Sequence, residues 1–182
     1  MPAGCVIFLD FDGVVSRAIS GASAFDRLVP HRVAHLSKIV ERTGCKVVVA
    51  STWRKDPKTG RGLSAWQLQA ALRSRGYTGT VDDITPFHRE VSFPDEIAKV
   101  RGGEILAWLR AQVESPRAIA ILDDVALDGP MAPYVIRTVE DIGLTAADAE
   151  RAVQRLLTPI RGTPPWEALE QVTLFAFAEG FV

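Results

Sequence analysis

The chain has 182 residues, enough for one domain with a sizeable core and too few for two comfortable ones. Its 47% hydrophobic and 24% charged residues are an ordinary globular balance, and a net charge of −1 offers no whole-molecule field to nucleic acid or membrane, so electrostatic recognition must be local. Asp10 and Asp12 interrupt the first apolar stretch and no apolar run approaches about 18 residues; no secretory leader and no membrane span are expected, and the cytoplasm is the expected compartment. Cys5 and Cys45 fit no metal-binding spacing and read as small apolar residues of a reducing compartment.

The first element is the run Val6-Ile7-Phe8-Leu9, followed by Asp10-Phe11-Asp12-Gly13-Val14-Val15. A continuous apolar run with β-branched and aromatic members predicts a strand buried on both faces of a parallel sheet. Ligands of such sheets bind beyond the carboxyl ends of the strands, where Asp10 and Asp12 fall. Period-two spacing aims both carboxylates at one cleft and turns Phe11 the other way. Gly13 lets the backbone turn sharply and approach a ligand closely. Two carboxylates so near each other repel unless a cation joins them, and a hard divalent ion such as Mg²⁺ suits a site that also binds phosphate. Taken alone, Asp-x-Asp-Gly is also an ordinary acidic turn.

Ser16 to Asp26 is small and polar and reads as a loop over the site. From Pro30 the spacing Val33, Leu36, Ile39, Val40 predicts a helix that Gly44 stops. Lys46–Ala50 follows as a second buried strand ending at Ser51-Thr52, which completes a right-handed βαβ unit and an α/β class. Trp53 to Gly62 is a basic Gly/Pro loop in which Arg54, Lys55, Lys58 and Arg61 stand against Asp56. Ser64-x-x-Gln67 is a capping box opening a helix through Arg75, closed by Gly76. Gly79 to Val100 reads as irregular, with a short strand at Thr80–Ile84 as an option. Ile105, Leu106, Trp108, Leu109 and Val113 mark a third helix entered through Gly102-Gly103. Ala118–Leu122 is a third buried strand ending in Asp123-Asp124, and Tyr134–Arg137 a fourth. Thr145-x-x-Asp148 opens a helix that ends near Leu157. The stretch from Pro159, with Pro164-Pro165 and Leu174-Phe175-Ala176-Phe177, reads as a tail that packs as an extra strand or mediates self-association; oligomeric state stays open.

Three buried strands thus end in chemistry: Asp10 with Asp12, then Ser51, then Asp123 with Asp124. A parallel sheet gathers these ends on one edge. Lys99 and Arg101 are expected just before a helix N-terminus, as the cation of the set. Acid pair, hydroxyl, cation and acid pair are what phosphoryl transfer through a carboxylate requires.

In that order the motifs resemble those of the haloacid dehalogenase-like (HAD) phosphohydrolases: Phe8-Leu9-Asp10-Phe11-Asp12-Gly13-Val14, Val48-Val49-Ala50-Ser51, the Lys99/Arg101 cation and Ile121-Leu122-Asp123-Asp124. Ser51-Thr52-Trp53-Arg54, Arg101-Gly102-Gly103-Glu104-Ile105 with Trp108-Leu109, and Ile142-Gly143-Leu144-Thr145 are similar to a compact branch that includes HAD domains of nucleic-acid repair proteins and the phosphatase half of polynucleotide kinase/phosphatases. The resemblance implies a three-layer Rossmann-like fold, a central parallel sheet flanked by helices, with no large cap domain. Residues 1–158 would be the catalytic domain and 159–182 the tail.

The resemblance also implies roles. Asp10 would attack phosphorus to form an aspartyl-phosphate, and Asp12 would protonate the leaving oxygen and then activate water, which asks for a higher pKa at Asp12 than at Asp10. Asp10, the Asp12 backbone carbonyl and Asp123 would hold Mg²⁺, and Ser51 would bind a phosphate oxygen. Asp124 is read as a metal ligand, with a cap or an outer partner as the alternative; Asp128 is the alternative for the outer acidic role. The family usually has lysine as its cation; here Arg101 is preferred over Lys99, because it abuts Gly102-Gly103 and can bind phosphate in a bidentate way. Gly13, Thr52, Trp53, Arg54 and Lys99 are the candidate substrate contacts, although Trp53 and Arg54 also fit a surface tryptophan packed on an arginine stem. His31, His35 and His88 show no ligand spacing and are read as non-catalytic.

With no room for a large lid, the site should be open, which suits large substrates. The basic loop beside it points to a nucleic-acid end bearing a terminal phosphate, with a nucleotide or small phosphomonoester as the alternative. A solvated loop is the plainer account of those charges. A silent Mg²⁺/phosphate-binding partner domain is the competing class, disfavoured because a binder needs no acid/base at Asp12. A receiver-type phospho-acceptor ranks lower, since its acceptor belongs on the middle strand.

Overall fold

Five short runs, most of them rich in β-branched residues, form one sheet in the computed structural model, which describes residues 4–17, 23–56, 58–89 and 93–168. They are β1 (Cys5–Leu9), β2 (Lys46–Val49), β3 (Asp83–Ile84), β4 (Ala118–Asp123) and β5 (Val135–Arg137), all parallel, in the order β3-β2-β1-β4-β5. Leu9 lies beside Val49 on one side and Leu122 on the other. That register brings the next residues of three strands, Asp10, Ala50-Ser51 and Asp123, to a common edge. The margins β3 and β5 are only two and three residues long.

Alternation along the strands splits the core in two, as a period of two requires. Ile7, Leu9, Phe11, Val47, Val49 and Leu122 face α2 (Pro30–Thr43), α3 (Ala65–Arg73) and α5 (Ala146–Leu157). Val6, Phe8, Val48, Ile119 and Ile121 face α4 (Pro94–Arg110), a 3-10 helix at Gly129–Tyr134, and Trp166 of the short α6 (Pro165–Ala168). The result is the three-layer α/β architecture expected, helices on both faces of a parallel sheet. By the same parity Asp10 follows Phe8 towards α4, while Phe11 enters the opposite core.

Local signals set most boundaries. Gly44, at φ 62°, closes α2 in the left-handed conformation. Gln67 Oε1 accepts the Ser64 backbone N–H at 3.0 Å at the start of α3, which ends at Arg73 and not Arg75. Thr145 and Asp148 cap α5 reciprocally, Asp148 Oδ2 accepting from Thr145 N at 3.0 Å. The predicted Ser16–Asp26 loop contains the start of a one-turn helix, α1 (Ala24–Arg27), and residues 18–22 lie outside the described set.

α4 departs from expectation. Gly102-Gly103 do not open it: the helix starts at Pro94, eight residues earlier, and both glycines sit inside it. Proline in the first turn with Asp95 and Glu96 beside it favours a start there, and burial of Ala98, Ile105, Trp108 and Leu109 against the sheet offsets two interior glycines at about 1 kcal/mol each. Lys99 and Arg101 therefore lie within the helix and not ahead of it, and the stretch read as irregular up to Val100 is helical from Pro94. Val113 falls beyond the helix end, fully exposed.

Of the stretch after Pro159, α6 seats Trp166 in the α4-side core, its ring 5.6 Å from that of Tyr134. The Leu174–Phe177 segment lies outside the described residues. Among the described residues no helix is long and apolar enough to cross a membrane.

Candidate active site

Asp10 leaves β1 with its backbone N–H still paired to Leu122 O at 2.9 Å, so its position is fixed by the sheet. Its Oδ1 accepts the Phe11 N–H at 2.8 Å. Asp123, the last residue of β4, accepts the Val125 N–H on Oδ1 at 2.9 Å. From α4 the buried Arg101 reaches between them, Nη1 donating to Asp10 Oδ2 at 2.6 Å and to Asp123 Oδ2 at 2.7 Å. Asp124 completes the group: one oxygen from each of Asp10, Asp123 and Asp124 lies within 4.8 Å of the others.

Three carboxylates against one guanidinium leave the pocket short of positive charge. Burial pushes the Asp10 carboxyl up, against the pull of Arg101 and a neighbouring Ser51 hydroxyl. Burial, then the charge of Asp10, raises Asp123 to about 7 and Asp124 to about 6. Burial works against the charge of Arg101 as well, but Asp10 and Asp123 together hold it above the usual arginine value. An all-oxygen set with excess negative charge, dry enough to penalise ionisation, suits a hard divalent cation.

Asp12 stands outside this group, with partners of its own, yet near enough for its charge to add to the rise of the Asp10 carboxyl. Its Oδ1 accepts from Ser16 Oγ at 2.9 Å and pairs with Arg27, the last residue of α1; its Oδ2 accepts the Trp53 indole N–H at 2.9 Å. The Asp12 side chain remains 41% exposed. Trp53 is 8% exposed, with its ring on Phe11 at 4.9 Å and the Arg27 guanidinium 5.1 Å from its centre. It is therefore not a surface tryptophan; its polar edge serves Asp12.

Gly13 separates the two environments. At φ +67° it sits where Asp124 crosses, and a Cβ there would lie 2.4 Å from Asp124 Oδ2. Its carbonyl accepts from Thr138 Oγ1 at 2.7 Å, tying the turn to the end of β5. Arg32 of α2 anchors the next residues, donating to Ser16 O at 2.6 Å and to Asp141 O at 2.7 Å.

The remaining candidates divide. Ser51 is buried beside Asp10, its Oγ accepting from Trp53 N at 3.3 Å. Thr52 is exposed and lines a cleft of about 300 Å³ that leads from Arg101 between the loop after β2, the segment after β3 and α4. Arg54 is buried: it pairs with Glu104 of α4 and donates to Ser51 O and, at 3.3 Å, to Pro86 O, while Glu104 Oε1 accepts the His88 backbone N–H at 2.9 Å. Burial lowers the Arg54 pKa against the attraction of Glu104. Lys99 is exposed on α4 and Asp128 is exposed before the 3-10 helix; neither belongs to the carboxylate group.

Sequence reading did not single out Arg27, Thr138 or Arg89 (which also lines the cleft), and took Ser16 only as loop. Arg27 meets Asp12 through tertiary placement of α1, and no spacing announces it. Glu104 appeared only as part of a motif, with no role attached.

The family model described as the HAD domain in Swiss Army Knife RNA repair proteins matches residues 6–149, which contain every site residue above. Comparison with the curated proteins and with the solved structures gave no match.

Proposed function

We propose an activity from one premise: the chain belongs to the family of HAD domains found in Swiss Army Knife RNA repair proteins. It is a phosphatase that releases phosphate from a phosphomonoester through an aspartyl-phosphate, and its substrate is the phosphorylated end of a nucleic acid. The family's occurrence in RNA repair proteins supports the substrate class. The observation that carries the chemistry is the division between two aspartates two residues apart, Asp10 inside a buried carboxylate group with Arg101 and Asp12 held separately and half-open.

Asp10 attacks phosphorus, and the bond to the leaving oxygen breaks as Asp12 delivers a proton to it. Water then attacks the aspartyl-phosphate, Asp12 takes its proton, and phosphate departs with Asp10 restored. Arg101 keeps Asp10 aimed and offsets charge gathering on the transferring oxygens. Ser51, beside Asp10, donates to a phosphate oxygen. Asp10, Asp123 and Asp124 would hold Mg²⁺, with the Asp12 carbonyl as a further donor, and the ion would neutralise phosphate and lower the repulsion felt by the nucleophile.

Mg²⁺-dependent phosphate release from an aryl phosphate tests this. Asp10→Asn is expected to abolish turnover, and Asp12→Asn to lower kcat about 10²- to 10⁴-fold, the usual worth of a positioned acid/base. Full activity in Asp10→Asn would overturn the mechanism. A wild-type protein that binds Mg²⁺ and phosphate without turnover would restore the silent binding module.

A further inference from the structure

Two openings flank the carboxylate group, one on each side of β1, and their charges oppose. Over β2 and β3, the cleft of about 300 Å³ runs outward from the buried Arg101 to the exposed Arg61 and Arg89, with Asp56 as its one carboxylate outside the Arg54–Glu104 pair and Phe87, Ile97 and Val100 as apolar wall. Over β4 and β5, a hollow of about 670 Å³ is lined by Asp95, Asp124, Asp128 and Glu140 against the single Arg137. A polyanion with one phosphate on Asp10 is repelled on the second side and drawn along the first.

The cleft is built and not incidental. Arg54 and Glu104 consume each other's charge, and together they pin Pro86 and His88, hence the Phe87 segment, against the loop after β2 and α4. Loop hydrogen bonds Asp56 N to Arg61 O at 2.8 Å and Leu63 N to Trp53 O at 2.8 Å hold Arg61 on the rim. Among the described residues Arg61 makes no ion pair and Arg89 makes only a loose exposed one, 3.7 Å from Glu96, of a kind a phosphate readily displaces. Lys55 and Lys58, in the same basic loop, do not line the cleft.

We propose that the nucleic-acid strand leaves the active site through this cleft, with Arg61 and Arg89 holding the phosphodiester next to the terminal phosphate. The sugar or base of that nucleotide rests on Phe87, Ile97 and Val100. This rests on the phosphatase reading and adds to it a direction and a subsite; the acidic hollow enforces the direction by exclusion.

Two measurements keep the subsite and the chemistry apart. Binding of a fluorescent single-stranded oligonucleotide with a terminal phosphate is followed by anisotropy in EDTA, where no turnover occurs. Arg61→Ala/Arg89→Ala is expected to weaken Kd at least tenfold and to flatten its salt dependence; unchanged Kd overturns the proposal, as does an equal loss in Lys58→Ala. In the second, kcat/KM of the double variant is expected to fall at least tenfold more on the oligonucleotide than on an aryl phosphate, and equal falls overturn it. Arginine-dependent binding by a protein that hydrolyses no phosphate ester would support the subsite while removing the phosphatase reading.

Discussion

Asp12 is held by donors from three places in the chain: Ser16 just beyond it, Arg27 on α1 and Trp53 after β2. Fixing it from several sides suits the acid/base role proposed for it, which requires meeting a leaving oxygen at one angle. Trp53→Phe keeps the apolar ring on Phe11 and removes only the indole N–H. A hydrogen bond to a charged group is worth about 1.5–3 kcal/mol, so kcat is expected to fall roughly ten- to a hundredfold. The thermal midpoint should stay near that of the wild type, because the packing partner survives. An unchanged kcat would mean that Asp12 keeps its aim without the tryptophan. Residues at this scale divide by how their partners are encoded. Asp10, Asp12, Ser51 and Asp123 are legible because strand ends and period-two spacing place them. Arg27 and Arg89 are not, because what they touch depends on where loops settle on the finished sheet.

At the scale of elements, the Arg54–Glu104 pair joins the loop after β2 to α4 and fastens the segment after β3 to both. Glu104→Leu strands a buried guanidinium and is expected to cost about 3–5 kcal/mol in urea unfolding. Arg54→Met/Glu104→Leu, which removes both charges, should recover most of that loss. A single variant within about 1 kcal/mol of the wild type would show the charge escaping to solvent. Elements also differ in legibility for physical reasons. β1, β2 and β4 are buried on both faces, and continuous apolar runs announce them. β3 is two residues long and sits against α4 through Trp108 Nε1, which donates to Asp83 Oδ2 at 2.7 Å, a contact no local pattern encodes. The start of α4 is hidden because Gly102-Gly103 look like a helix break, while burial of Ala98 and Ile105 on either side of them carries the helix through.

Across the whole molecule, the carboxylate group couples stability to pH, and would couple it to a divalent ion held there. Burial raises Asp10, lifts Asp123 to about 7 and lifts Asp124 to about 6, all from a value of 3.8. The folded chain thus binds these protons more tightly than the unfolded one, and metal-free stability falls as pH rises from about 4 to 7. A divalent ion needs the ionised group, so its stabilisation grows over the same range. Thermal unfolding with and without Mg²⁺ should show a larger gain at pH 8 than at pH 5, and the gain should vanish in Asp123→Asn. An equal gain at both pH values would detach the ion from these aspartates. The sheet carries one more consequence, in its outline. Among the described residues, backbone amides that could template a foreign strand sit only along β3 and β5, and those borders are two and three residues long. An intruding chain would find too little ladder to zip onto, so this domain can be crowded beside copies of itself with little tendency to fuse sheet to sheet.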